Sequence, residues 1–194
     1  MPLVAATGTI LIVLAPSTQA RIAAALYVLC ALTLFTASAT HHLNRWSGRA
    51  RRVAHHLDHA GIFLIIAGTY TPYVVLGLDG ATRVVVLGVV WGAALAGVGL
   101  RLASVPTPRW VSVGLYVALG WTAVLVFPQL LSGVGVPSIV LALVGGGLYS
   151  VGAIVYATKR PNPFPRAVGF HEVFHLLTVA AFASLDVGVW LVLH

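Results

Sequence analysis

Two histidines one helical turn apart, His171 and His175, open the last long apolar stretch of this 194-residue chain. At i and i+4 on a helix both rings leave the same face, which is the spacing of a metal clip. Glu172 beside the first ring completes the string H-E-x-x-H, in which zinc peptidases use the Glu as general base. The structural alternative is a pair of core histidines hydrogen-bonded to nearby carbonyls. Ionisable groups on membrane helices are costly and usually functional, so the pair favours a metal. The peptidase reading is weaker, because such enzymes take a third ligand downstream. The only carboxylate after His175 is Asp186, about 16 Å further along a helix. A third ligand must come from upstream.

The elements that must position these groups follow from composition. The chain is 59% hydrophobic and only 8% charged, against about 25% charged in soluble domains. It reads as an integral membrane protein. Its segments are rich in Ala, Leu, Val and Gly without alternation of polar and apolar residues, so helices are expected and not a β-barrel. Seven segments use up the chain, leaving one domain over residues 1–194. They run Leu3 to Ala15, Gln19 to Leu43, His55 to Leu76, Ala81 to Ala103, Trp110 to Leu131, Ser138 to Thr158 and Val168 to Leu193. The first is short for a span. A kink is expected over Gly68 to Pro72, and the loop Lys159 to Pro165, with three prolines, cannot stay helical. No charged region precedes the first apolar run, so no cleavable signal peptide is expected. The single Cys30 allows neither an intrachain disulfide nor a cysteine zinc site.

The net charge of +7 reports topology and not nucleic-acid binding. With seven spans, the side carrying the N-terminus holds Arg45, Arg49, Arg51, Arg52, Arg101, Arg109, Lys159, Arg160 and Arg166. Only Arg21 and Arg83 lie opposite. The positive-inside rule then puts the N-terminus in the cytoplasm and the C-terminus outside, in a bacterial plasma membrane.

This topology brings further groups to the same leaflet. His42 ends the second segment, Asp58 falls in the first turn of the third, and His171 and His175 start the seventh. Ser38 lies one turn deeper than His42 on the same face. Three neutral imidazoles with an open fourth position are the layout of a catalytic zinc site. There Asp58 could serve a bound water as acid or base, and Ser38 could hydrogen-bond that water or a substrate carbonyl. The plainer reading of Asp58 is a charge at a helix N-terminus paired with Arg51 or Arg52; that of Ser38 is a back-bonded or close-packing small residue. His55 and His59, also at i and i+4, compete for a metal but adjoin the arginine-rich loop. His41 and His56 read as interfacial. Imidazole suits zinc, iron, copper and nickel alike.

The ordered pattern Ser38-x-x-x-His42, then Leu57-Asp58-His59 running on to Ile65 and Ala67-Gly68-Thr69-Tyr70-Thr71-Pro72, then His171-x-x-x-His175, resembles the bacterial hemolysin III family. That family is related to the progestin and adipoQ receptors, which include the adiponectin receptors. The resemblance implies seven transmembrane helices, a cytoplasmic N-terminus and Zn2+ held by His42, His171 and His175. It also implies that Ser38 and Asp58 adjoin the zinc-bound water. The wider superfamily includes alkaline ceramidases, so hydrolysis of a membrane-lipid amide is the implied chemistry. The alternatives are a non-catalytic receptor or regulator of membrane state with structural zinc, and a hemolysin-type pore. No stripe of polar residues along the segments would line such a pore.

Overall fold

The computed structural model describes residues 2–44, 46–164 and 168–194. Arg45 and Arg166, counted above toward topology, and Pro165 of the last loop lie outside the described residues. Among the described residues the chain is helical, with no strand beyond one isolated bridge between Phe164 and Val168. It divides into two compact units, Met1–Pro106 with Leu193–His194, and Thr107–Val192.

The first unit holds α1 (Pro2–Leu14), α2 (Thr18–Leu43), α3 (Gly48–Gly77) and α4 (Gly80–Leu102). Ser17 caps α2, its hydroxyl accepting from the Ala20 N–H at 3.1 Å. The helices pack in chain order, α1 on α2, α2 on α3 and α3 on α4. Without a hydrophobic driving force in lipid, such packing depends on small residues that let backbones approach. Gly68 of α3 is one of them: a Cβ there would lie 2.6 Å from the Cβ of Cys30 on α2. Gly97 of α4 is another, seated against the ring of Phe63.

The second unit holds α5 (Arg109–Gly120), a 3-10 turn (Thr122–Val126), α6 (Phe127–Val134), α7 (Val136–Thr158) and α8 (Phe170–Leu193). Gly145 of α7 meets Leu185 and the Ala181 carbonyl of α8, and the Ser184 hydroxyl donates to the Leu141 carbonyl at 2.9 Å.

Among the described residues, six helical stretches are long and apolar enough to cross a membrane: Thr18–Leu43, Gly48–Gly77, Gly80–Leu102, Arg109–Val134, Val136–Thr158 and Phe170–Leu193. The shortest has 23 residues, about 34 Å of helix against about 30 Å of hydrocarbon. The expected first segment is helical as α1 but has only 13 residues.

Three expectations change. The third segment starts at Gly48 and not near His55, so Arg49, Arg51 and Arg52 ride on a helix. Asp58 therefore sits almost three turns inside α3, not in its first turn. The buried Pro72, where a kink is expected, lies in the interior of this helix. The fifth segment, in contrast, is interrupted. Pro128 starts α6 near its N-terminus, and since Pro has no N–H and clashes with the carbonyl four residues back, regular α-helix stops before it.

Candidate metal centre

Ser38, His41 and His42 lie on the last turns of α2, and Asp58 faces them from α3. The His42 Nε2 and the Asp58 Oδ2 are 3.8 Å apart, with the carboxylate largely shielded. This is the partner Asp58 takes, and not the Arg51 or Arg52 of its plainer reading. One donor atom from each of His41, His42 and Asp58 falls within 4.8 Å of the others. The His41 Nδ1 is buried and has no hydrogen-bond partner. An unpaired buried ring nitrogen is costly and calls for a ligand or ordered water. A polar recess of about 320 Å³ adjoins the cluster, walled by His41, His42, Asn44, Trp46 and Arg51.

Ser38 is half-buried. Thr33, Thr69 and Thr71 each back-bond to the carbonyl four residues earlier. Ser38 shows no such bond among the described residues, which leaves its hydroxyl for other use.

In the second unit, α8 begins in a firmly tied turn. The Gly169 N–H donates to Glu172 Oε2 at 2.8 Å, and the Phe170 N–H to Asn162 Oδ1 at 2.8 Å. Glu172 thus closes the helix start in the manner of a capping box. One of its carboxylate oxygens is engaged there, at the helix start. With the turn fixed, His171 and His175 fall one above the other, half-buried, and their Nε2 atoms lie 3.1 Å apart. The rings meet edge to face at 4.6 Å between centroids.

The competing pair behaves differently. His59 Nδ1 lies 3.0 Å from the His55 carbonyl, and the two rings tilt together at 4.2 Å. Among the described residues, no group of three metal-capable donors includes either ring. His56 Nδ1 instead meets the Ser104 hydroxyl at 3.1 Å. The residue that spacing alone missed is His41, one position before His42 and so about 100° away on the helix. Its buried Nδ1 and the closeness of its ring to His42 and Asp58 set it beside them.

The fold defines a class: a multi-pass helical membrane protein, with His41, His42 and Asp58 close together in one unit and His171 and His175 paired in the other. A family model described as Haemolysin-III related matches residues 1–185, and the chain belongs to that family. It is 31% identical over 129 residues to the hemolysin-3 homolog of Bacillus subtilis (strain 168), covering 66% of this chain and 58% of that protein. It is 32% identical over 129 residues to hemolysin-3 of Bacillus cereus, covering 66% of this chain and 56% of that one. The matched region thus spans under three fifths of either relative. Kinship with bacterial proteins and six apolar helices are consistent with the bacterial inner membrane.

Proposed function

We propose that the chain is a zinc-dependent hydrolase of a membrane-lipid amide. In this reading seven helices span the membrane, with the N-terminus in the cytoplasm and the C-terminus outside. His42, His171 and His175 hold one zinc ion on the cytoplasmic side. The observation that carries the reading is the 3.1 Å separation of the His171 and His175 Nε2 atoms. At zinc–nitrogen distances of about 2.0–2.1 Å, two ligands of a tetrahedral ion stand about 3.3 Å apart, so the pair fits with little adjustment. The donor set of imidazoles near a carboxylate suits the same ion.

Zinc in such a site supplies Lewis acidity and a nucleophilic water near neutral pH. The rest falls to the chain. Asp58, shielded and acceptor-rich, takes a proton from the attacking water and returns it to the leaving amine. The Ser38 hydroxyl donates a hydrogen bond to the amide carbonyl as charge builds on its oxygen. The apolar helices bring the substrate from the bilayer and keep bulk water away.

A second reading draws on the 3.8 Å approach of Asp58 to His42. If Asp58 ligated the ion directly, the fourth position would close and the zinc would be structural, as suits a non-catalytic receptor or regulator of membrane state.

The test is metal content in detergent-purified protein prepared without chelators, with turnover of a fluorogenic N-acyl lipid amide measured on the same samples. About one zinc per chain, lost in His42→Ala, His171→Ala and His175→Ala alike, with turnover lost in parallel, is the expected result. Full occupancy in His42→Ala would overturn the three-helix site. Full zinc without turnover would favour the second reading.

A further inference from the structure

The face of α2 opposite the metal-capable residues also has work to do. Two positions along a helix turn it by about 200°, so Thr36 and Thr40 point away from Ser38 and His42. Together with α3 and α4 this outer face bounds an open groove of about 1070 Å³. Its walls are mostly apolar, with Leu57, Leu64 and Val98 along its length. Trp46 and Arg49 stand at the end nearest the α2–α3 turn.

That end is built for a negative charge. The Arg49 guanidinium has no hydrogen-bond or ion-pair partner among the described residues. Ser47 precedes α3 without a side-chain cap bond, which leaves first-turn N–H groups and the positive end of the helix dipole facing outward. Arg51 and Arg52 add to the field. The indole N–H of Trp46 donates to the Thr40 carbonyl at 2.7 Å, fixing a flat amphipathic ring of the kind that marks the membrane interface.

We propose that this groove binds one anionic glycerophospholipid from the leaflet on the arginine-rich side. An acyl chain lies along Leu57, Leu64 and Val98, and the phosphate sits at Arg49 and the start of α3. Charge complementarity selects the headgroup: an anionic lipid gains from every arginine here, whereas a quaternary ammonium would meet like charge. The inference is independent of the metal and of the proposed chemistry.

The experiment uses the full chain in vesicles containing brominated phosphatidylglycerol or, at equal fraction, brominated phosphatidylcholine. Bromine on the acyl chain quenches tryptophan on contact, and Trp46→Phe identifies the share of the signal that belongs to the groove. The expected result is about a fivefold preference of the Trp46 signal for the anionic lipid, the worth of one well-placed arginine. That preference is cut sharply in Arg49→Gln, toward the remainder that Arg51 and Arg52 supply. In Thr33→Phe, which fills the groove from an exposed position, quenching by either lipid drops while the circular dichroism stays helical. Equal quenching by the two lipids in the unmodified protein, or a preference kept in full in Arg49→Gln, would overturn the proposal. So would loss of the preference on adding millimolar glycerophosphate, which would make Arg49 a site for soluble phosphate.

Discussion

Asp58 divides the two functional readings at the level of one atom. Changing it to Asn keeps the shape and removes the ability to take a proton. If Asp58 serves the water, Asp58→Asn retains its zinc and loses turnover by about 10²–10⁴-fold, the usual worth of a general base. If Asp58 is a ligand, the same variant loses the metal itself. Zinc content and turnover measured on one preparation separate the outcomes. Glu172 makes the complementary case. Its carboxylate ties the Gly169 N–H, so Glu172→Gln is expected to lower the melting temperature slightly and leave zinc content and turnover unchanged. Turnover lost with zinc retained would assign it a catalytic role. The metal-capable residues were legible in the sequence because helical spacing fixes which rings share a face. Within its own unit each pair lies close in space, His171 by His175 and His42 by Asp58. His41 was not legible, since adjacency to His42 says nothing of depth. Its orphaned Nδ1 is a consequence of how α2 packs.

At the scale of the element, α3 carries the most instruction. Apolar runs locate its centre but not its start. Arginine is a good helix former, and its long stem can lie along apolar surface while the charge reaches water. The helix therefore continues seven positions before His55, back to Gly48. The same limit explains the fifth segment, where overall hydrophobicity hid a change of helix type before Pro128. One place where α3 closely approaches α2 is Gly68, whose missing Cβ leaves room for Cys30. Gly68→Val puts two further methyl groups where even a Cβ would collide. Overpacking of this kind costs about 1–3 kcal/mol, and the helices must slide or separate to relieve it. The expected result is a clear fall in melting temperature in detergent. A loss of zinc in the surviving folded fraction is also expected, because Asp58 and His42 ride on the displaced pair. An unchanged melting temperature would mean that this contact does not set the register.

For the whole molecule, the two ends of the chain test different things. The excess of arginine and lysine on alternate connections predicts a C-terminus outside the cytoplasm, and that holds whether or not α1 spans, because α1 lies before all the counted connections. The N-terminus is the discriminating end. Helix α1 has 13 residues, about 20 Å, so it falls short of a bilayer of about 30 Å unless flanking residues and local thinning make up the difference. With α1 spanning, the N-terminus lies in the cytoplasm; with α1 lying at the interface, six spans put both termini outside. A reporter active only in the periplasm is expected to give signal at the C-terminus and none at the N-terminus. Signal at both would reduce the bundle to six spans while leaving α2, α3 and α8, and every proposed ligand, on the same side as before. No signal at the C-terminus would reverse the orientation. The site would then face the outside, against the positive-inside rule that sets direction in short-loop membrane proteins.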